Sequence, residues 1–577
     1  MKLLLGPVLY AKERTHADTW GFCVQLFLDT VDVSRPPPLR LSILDSAGAE
    51  LFSTQDAMPA ADFSALPEDT RGVVWRWEVV LSRRDTHQRV RYRFESPDAP
   101  GRALAFESPA NPRDAITVDV SDVVVPAKGA LPRLAFFSCN GASDTRAWNA
   151  LSEPFALWEE MRRQHEDPSE AGFQLLVGGG DQLYADSLWE TVASLARFRK
   201  QSKRAKLTLP LEEGFADQML AAYVRLYRER WGGEHGIAPM LARVPGLFTW
   251  DDHDIFDGWG SHEDLQETPW FRAVYGAAAI TYEAFQLGGL KADAREQRLP
   301  GDAPVPRHYL HTASFSTPDC DLDVVMLDLR SGRTSHTRAN KKVEHGVMSD
   351  AQWRALDAWR CAHRERPECA RKARHVLVVS SVPLVHLRFG PGMERLAGAI
   401  HLRDDMLDQW ESLVHRGERS RLIMDLFTLA KESCCAVTVV SGDVHVGARA
   451  ILRSVNPDHL RDERGEAIID QVTSSAIVHP PPSALEFAGM LAMGRDGAED
   501  LPGFLRTEML PVGAGTYLRE RNWLSLRVET SRLDPPRPKL WIRWEAEHSS
   551  LTTQVVVEPP SPPRAREDAP VRLPVGA

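Results

Sequence analysis

The sequence is poor in the features that mark several large classes of protein. It has only 7 cysteines among 577 residues, too few and odd in number for a disulfide framework, so we expect a reducing compartment. No apolar run approaches the about 18 residues that a membrane-spanning helix needs. Acidic residues outnumber basic ones by 80 to 69, giving a net charge of −11, which argues against an overall basic nucleic-acid-binding protein. We therefore expect neither a membrane nor nucleic acid as a partner.

The beginning of the sequence resembles a secretory signal only faintly. Met1-Lys2 is followed by a short apolar stretch that Gly6-Pro7 interrupts, and the charged AKER follows at once. The segment is better explained as a first β-strand, and a cytoplasmic location is expected.

The composition, 43% hydrophobic and 26% charged, is that of a globular protein with more than one unit. Residues 1–128 contain short alternating segments between turn-rich stretches, which predicts an N-terminal β-sandwich domain. Residues 129–557 alternate apolar strands with helices, which predicts an α/β domain. Helical insertions are expected at about 187–240 and 261–300, where lids often lie, and the Pro-rich residues 558–577 are expected to be disordered.

Chemically active side chains follow five of the predicted strands. In open α/β sheets the carboxyl ends of the strands form the ligand crevice, so we expect these side chains to gather at one edge. They are Cys139 and Asn140; Asp181 and Tyr184; Asp251, Asp252 and His253; Asp328, Arg330 and Arg333; and Asp443 and His445.

These residue types favour metal chemistry. Carboxylates bind hard cations, neutral imidazole binds transition metals, and thiolate and phenolate suit a redox metal such as ferric iron. Several converging carboxylates without nearby lysines would repel one another in a low dielectric, and bound cations would relieve that repulsion. Two metals could activate a water and stabilise an in-line phosphoryl transition state. Arg330 and Arg333 could clamp the phosphate, because a planar guanidinium matches its oxygens.

The strand-end motifs resemble, in order, those of alkaline phosphatase D, the PhoD-like branch of the metallophosphoesterases. The resemblance implies a mixed α/β fold with a layered β-sandwich core flanked by helices. Because GGGDQLY differs from the commoner GDYIY form, the chain resembles a variant branch. The motifs are FFSCN (136–140), GGGDQLYAD (178–186), TWDDHDIFDGWGS (249–261), LDLRSGRT (327–334) and SGDVH (441–445).

The resemblance also implies a set of metal ligands and two catalytic residues. The family uses a ferric iron and one or more calcium ions, so two or more metals are expected here, with Mn²⁺, Zn²⁺ and Mg²⁺ as alternatives. His253 is implied to contact the phosphoryl group and to assist the leaving oxygen as an acid, and Arg330 to stabilise charge. The implied metal ligands are Cys139, Asp181 as a bridge, Tyr184, Asp252, Asp443 and His445.

Several neighbouring residues have two interpretations. Asp251 could contact metal directly, or it could cap a turn or hold the tautomer of His253. Asp328 could bind metal or orient Arg330. Asn140 and Arg333 could touch the substrate. Three isolated histidines have no motif and are interpreted as solvated or core residues, namely His386, His401 and His479.

The function predicted from these observations is that of a metal-dependent phosphatase or phosphodiesterase. Its substrate would be a small-molecule phosphomonoester or phosphodiester, attacked in line by a metal-activated hydroxide. An alternative is a catalytically inactive binding or scaffold protein with a metallophosphatase fold. A phospholipid or nucleic-acid diesterase is a third, for which no basic stripe or amphipathic membrane helix stands out. The sequence does not predict an oligomeric state.

Overall fold

A computed structural model describes most of the chain. The predicted tail beyond residue 560 and residues 289–297 and 300 of the second predicted insertion lie outside the described residues. The described ranges are 1–109, 114–288, 298–299, 308–334, 346–366, 372–386, 409–412, 414–461, 465–493, 497–501, 503–530, 537–550 and 553–560.

The strands in these ranges are numbered in chain order. Those before residue 129 are β1 (Leu3–Ala11), β2 (Arg14–Thr15), β3 (Thr19–Leu28), β4 (Arg40–Leu44), β5 (Glu50–Thr54), β6 (Met58–Asp62), β7 (Val73–Ser82), β8 (Gln88–Ser96), β9 (Ala99–Ala103), β10 (Ala105–Glu107), β11 (Ala115–Thr117) and β12 (Asp119–Val125). Those after it are β13 (Leu134–Phe137), β14 (Leu175–Gly179), β15 (Gly246–Thr249), β16 (Arg298–Leu299), β17 (His308–Ser316), β18 (Cys320–Leu327), β19 (Ala373–Ser380), β20 (Ala436–Ser441), β21 (Gly447–Ser454), β22 (Ala467–Thr473), β23 (Gly497–Leu501), β24 (Leu505–Leu510), β25 (Tyr517–Leu518), β26 (Asn522–Thr530), β27 (Pro538–Ala546) and β28 (Gln554–Val557).

Helices lie between the strands of the second half and within both predicted insertions. The α-helices are α1 (Thr145–Asn149), α2 (Ala156–Glu166), α3 (Leu188–Thr191), α4 (Ala193–Arg199), α5 (Lys203–Lys206), α6 (Phe215–Trp231), α7 (Ala238–Leu241), α8 (Pro269–Thr281), α9 (Asp350–Arg364), α10 (Arg416–Ser433) and α11 (Ala484–Met493). Within the described residues, no helix is both long and apolar enough to span a bilayer.

Two large mixed sheets organise the described part of the chain, so the predicted mixed α/β class is confirmed. The first has the order β28-β27-β26-β13-β14-β15-β1-β3-β7-β6, and the second follows β16-β17-β18-β19-β20-β22-β21-β24-β23, with β2 and β25 at its margins. Strands β13, β14 and β15 are parallel to one another, as are β18, β19 and β20. A smaller sheet with the order β12-β8-β4-β5 lies within residues 1–128.

Strands from both sides of residue 128 share the first sheet. β1 pairs in parallel with β15, where Tyr10 lies opposite Gly246, and it pairs antiparallel with β3. The side chains between the sheets form one apolar core to which both halves contribute, for example through the stacked rings of Trp20 and Phe315, 5.8 Å apart. The division at 128 stays a prediction about domains, but the backbone pairing crosses it.

Capping and an apolar face define helix α9. Ser349 accepts a hydrogen bond from the Gln352 N–H, and the Gln352 side chain accepts one from the Ser349 N–H, a reciprocal cap of the first helical turn. Trp353 and Leu356 are buried on one face. The helix thereby packs its apolar stripe onto the second sheet.

Candidate metal centre

The strands that carry the predicted motifs end close together, but in two sheets rather than one. β13, β14 and β15 belong to the first sheet, and β18 and β20 belong to the second. The two sheets touch where Thr249 Oγ1 donates a hydrogen bond of 3.1 Å to the carbonyl of Leu327. The single edge expected from an open sheet is therefore wrong, and the side chains meet across the junction of two sheets.

A buried cluster of carboxylates forms at this junction. One group that could hold a cation consists of Asp181, Asp252 and His253, and another consists of Asp181, Asp251, Asp252 and Asp443. Within each group, one potential ligand atom from each residue lies within 4.8 Å of the others. Asp181 and Asp252 belong to both groups, so the two sets of ligand atoms overlap at these carboxylates.

The electrostatics of Asp181 favour a bound cation. Its Oδ1 is buried without a hydrogen-bond partner in the described part of the chain. Burial raises the pKa of this carboxyl well above its usual range; His253 opposes that rise, and the Asp251 and Asp252 carboxylates add to it. A cation would provide the missing partner and the compensating charge. The donor set of carboxylates and imidazole therefore fits one or more metal ions.

Cys139 contacts Asp181, and Tyr184 contacts His445. Cys139 Sγ is 3.5 Å from Asp181 Oδ2, and Tyr184 Oη is 3.4 Å from His445 Nε2. Burial raises the pKa of both the Cys139 thiol and the Tyr184 phenol, and it lowers that of His445. Gly141 is required beside them, because an added Cβ would lie 2.5 Å from Cδ2 of Tyr184.

The backbone at the predicted ligands is unusual. Among the described residues, seven that are not glycine have positive φ, and five of these seven are predicted metal ligands. A left-handed backbone at such residues costs about 1–3 kcal/mol each and persists where surrounding contacts enforce it, often at functional sites. The five are Cys139 (53°), Asp181 (60°), Tyr184 (56°), Asp443 (69°) and His445 (52°).

Asp254 ties two of the site loops together. Its Oδ2 accepts hydrogen bonds from the backbone N–H groups of Asp181 (2.9 Å) and Asp251 (3.0 Å). Its Oδ1 accepts from the N–H of Gln182 (2.9 Å) and from Nε2 of Gln286 (3.0 Å). Gln286 ends a π-helical turn, Tyr282–Gln286, that continues α8. Burial raises the pKa of the Asp254 carboxyl to about 7.

Arg330 faces carboxylates in this structure. Its side chain is completely buried, with Nε bonded to Asp251 Oδ1, Nη2 3.3 Å from Asp252 Oδ1, and Nη1 donating to the carbonyl of Trp259 at 3.0 Å. The guanidinium thus orients the carboxylates of the WDDHD motif. Burial opposes ionisation of Asp252, but Arg330 and His253 outweigh it and lower the Asp252 pKa. Direct contact between Arg330 and phosphate stays a prediction.

Asp328 and Asn140 both make hydrogen bonds to neighbouring groups of the protein. Asp328 Oδ1 accepts from Nε1 of Trp250 (2.7 Å) and from the N–H groups of Arg330 and Ser331 (both 3.0 Å), so this carboxylate orders the loop after β18. Asn140 accepts from Nε1 of Trp158 at 2.8 Å and donates to the carbonyl of Gln182 at 3.3 Å.

Arg333 contacts a histidine outside the two potential cation-binding groups. It is buried, and its Nη2 is 3.3 Å from Nε2 of His415. Of the isolated histidines, His386 is buried near Tyr517, and His401 lies outside the described residues.

His253 is held by a residue to which the sequence reasoning gave no role. Nδ1 of His253 is 2.7 Å from Oδ2 of Asp186, and the His253 ring stacks on that of Tyr184 with centroids 4.4 Å apart. Burial favours the neutral imidazole, but the Asp186 and Asp252 carboxylates outweigh it and raise the pKa of His253. The sequence feature that could have identified Asp186 is its position, two residues after Tyr184 in the same motif.

His479 also lies at the site. Its ring stacks on that of His445 with centroids 3.8 Å apart and on that of Tyr184 at 5.6 Å. The backbone N–H of His479 donates to the carbonyl of Cys139 at 3.2 Å, and its Nδ1 is 2.8 Å from the carbonyl of Pro480. Sequence reasoning missed this position because no motif surrounds it.

The fold and the site define a mixed α/β protein with a buried acidic and histidine cluster suited to cations. Residues 135–347 match the model of the family described as PhoD related phosphatase, which confirms the resemblance predicted from the motifs. The chain is also similar to the Saccharomyces cerevisiae protein named uncharacterized protein YGR266W, with 25% identity over 421 residues. That similarity covers 60% of this chain and 57% of the relative, so the chain matches little more than half of the relative's length.

Proposed function

We propose that the chain is a metal-dependent phosphohydrolase acting on a phosphomonoester or phosphodiester. The observation that carries the proposal is the overlap of two potential cation-binding groups at Asp181 and Asp252. Within this site, bound cations would neutralise the carboxylates, acidify a coordinated water and offset charge on the phosphoryl group. The match to the PhoD related phosphatase model supports the same class of reaction. We also propose that the chain has the layered β-sandwich core of metallophosphoesterases.

The contacts suggest how the residues would divide between two cations. Cys139, which contacts Asp181, and the contacting pair Tyr184 and His445 offer sulfur, phenolate oxygen and nitrogen, a set suited to ferric iron. Asp251, Asp252 and Asp443, which form a potential cation-binding group with Asp181, offer carboxylate oxygens, which suit calcium. We propose that Asp181 bridges the two positions.

His253 would act on the substrate, and Arg330 would act on the metal ligands. His253, oriented by Asp186 and adjacent to Asp181 and Asp252, would give a proton to the leaving oxygen. Arg330 would hold Asp251 and Asp252 in place rather than bind the phosphate, because its side chain is fully buried and faces both carboxylates.

The test combines metal analysis with turnover of a panel of aryl and alkyl phosphate mono- and diesters. We expect bound metal, loss of turnover on chelation, and recovery when metal is returned. Asp181→Asn should lower turnover by several orders of magnitude, whereas Asp217→Asn, an exposed residue of α6, should change nothing. Turnover within about tenfold of the wild type in Asp181→Asn, about 1.4 kcal/mol of barrier, would contradict the proposal. Bound metal without turnover of any ester would favour the binding or scaffold alternative.

A further inference from the structure

A cavity lies directly beyond the proposed catalytic histidine. Its volume is about 600 Å³, and Asp186, the partner of His253, forms part of its wall. The loop after Cys139 runs into this cavity, as do the segments that follow Tyr184 and His253. A group bound there would lie next to the reacting phosphoryl group, and the volume falls within the range of about 300–1,000 Å³ usual for small-molecule sites.

The wall of the cavity is rich in aromatic rings. Trp189 packs edge-on against Phe256 and Phe271, with centroids 5.0 and 5.6 Å apart, and Trp148 is half-buried in the wall. Trp189 and Phe271 come from the predicted insertions and Trp148 from α1, so the insertions shape this cavity. Flat apolar walls of this kind favour a planar ring as the bound group.

A positive charge is placed against one of these rings. The guanidinium carbon of Arg230, in the last turn of α6, lies 5.5 Å from the ring centroid of Trp148. Nε of Arg230 is buried and has no hydrogen-bond partner in the part of the chain that the structure describes. A guanidinium stacked on an aromatic ring keeps its N–H edge available for a carboxylate or phosphate.

Five acidic side chains line the same cavity, and three of them already have partners. Asp186 holds His253 and accepts from the N–H of Asp257, Asp144 caps α1, and Glu190 is 3.2 Å from Arg199. Lys206 adds a further positive charge to the wall. An anionic group near Arg230 would therefore meet a guanidinium that is not paired with these carboxylates.

We propose that this cavity binds the leaving group of the substrate, and that the leaving group is a planar aromatic alcohol carrying a second anionic group. The ring would lie against Trp148 and the anion would bind Arg230. The inference rests on the proposed phosphohydrolase function and adds the substrate class to it.

Direct binding tests the cavity without turnover. The probes are 6-hydroxy-2-naphthoate, which has the ring and the anion, and 2-naphthol, which has the ring alone, titrated calorimetrically into the metal-loaded protein. We expect the naphthoate to bind more tightly. Arg230→Gln should raise its Kd about tenfold and 2-naphthol's less than twofold. Trp148→Ala should raise both, with Trp148→Phe recovering most of the loss. Arg225→Gln, on the same helix but paired with Asp69, is the matched control.

Turnover tests the assignment to the leaving group. The kcat/KM ratio of 6-carboxy-2-naphthyl phosphate to ethyl phosphate should fall about tenfold in Arg230→Gln and stay unchanged in Arg225→Gln. Equal Kd values for the two probes, or a ratio unaffected by Arg230→Gln, would overturn the proposal. If the wild type hydrolyses no ester but the probes bind in the expected pattern, the phosphohydrolase function fails while recognition of the ring and anion stands.

Discussion

Asp254 holds Asp181 through the backbone, with Asp254 Oδ2 2.9 Å from the Asp181 nitrogen. The same oxygen accepts from the N–H of Asp251, so one buried carboxylate fixes the start of two site loops. Hydrogen bonds to a charged acceptor are stronger than neutral ones and define geometry as well as energy. The position of Asp181, the proposed bridging carboxylate, therefore depends on a neighbour that does not itself belong to the potential cation-binding groups.

We expect Asp254→Asn to weaken metal retention and lower kcat/KM at least tenfold, because an amide replaces one carboxylate oxygen and cannot accept all four hydrogen bonds. Metal affinity measured with a competing chelator, together with kinetics, checks this. Asp217→Asn serves as the surface control. Metal affinity and kcat/KM equal to those of the wild type would show that the hydrogen bonds to Asp254 have no influence on the site.

Arg330→Gln should destabilise the fold as well as the site. Removing one partner of a buried ion pair typically costs about 3–5 kcal/mol, because the other charge is left uncompensated. We expect a lower unfolding midpoint and loss of metal, with Arg330→Lys recovering part of both. A raised KM with unchanged stability and metal content would instead support the phosphate clamp predicted from the sequence.

Tyr184→Phe tests the identity of the metal. A ferric tyrosinate would give the purified protein a visible absorption band. The variant should lose that band while retaining its fold, since only a hydroxyl is removed and the ring still stacks on His253. Tyr92→Phe is the control, because the Tyr92 hydroxyl is buried elsewhere and donates to the carbonyl of Ala242. A wild-type protein that contains iron yet shows no band that depends on Tyr184 would contradict tyrosinate ligation.

His253→Ala should separate proton donation from metal binding. General acid catalysis contributes about 10²–10⁴-fold, and we expect a loss of this size for alkyl phosphates, whose alkoxide leaves badly. The loss should be much smaller for nitrophenyl phosphate, with metal content close to that of the wild type. Equal losses for both esters would leave His253 as a phosphate-binding group, and loss of metal would make it a ligand.

The buried His165 predicts a pH dependence of stability. Its Nδ1 accepts from the N–H of Phe173 at 3.0 Å and its Nε2 lies 2.7 Å from the carbonyl of Asp122, so the neutral ring uses both nitrogens. Burial lowers the pKa of His165 from 6.5 to about 4. Between these values only the unfolded chain takes up the proton, so stability falls as the pH drops through that window.

For His165 alone the loss between pH 7 and pH 5 is about 2 kcal/mol. Between pH 7 and pH 5, the unfolding free energy of His165→Gln should therefore fall by about 2 kcal/mol less than that of the wild type. Denaturant titrations at both pH values measure this difference. His235→Gln changes an exposed histidine and should match the wild type. An identical pH dependence in His165→Gln would show that this ring does not titrate as its burial implies.

Local sequence patterns indicated the strand ends that carry the candidate site, but they did not indicate its long-range contacts. Apolar runs ending in Asp181, Asp252 and Asp443 indicated where strands stop and polar side chains converge. The sharing of one sheet by β1 and β15 depends on pairing between distant segments, which the periodicity within each strand does not encode. The stacking of His479 on His445 likewise comes from folding, because neither residue's sequence neighbours specify it.

The pairing of β1 with β15 has a consequence for any shortened form of the protein. β15 leads directly into the loop that carries Asp251, Asp252 and His253, and its outer border pairs with β1 where Gly246 lies opposite Tyr10. Deleting the first 128 residues would leave that border open, and exposed strand borders recruit strands from other molecules. The N-terminal segment thus protects the border of the strand that precedes the site residues from pairing with other molecules, and so from aggregation.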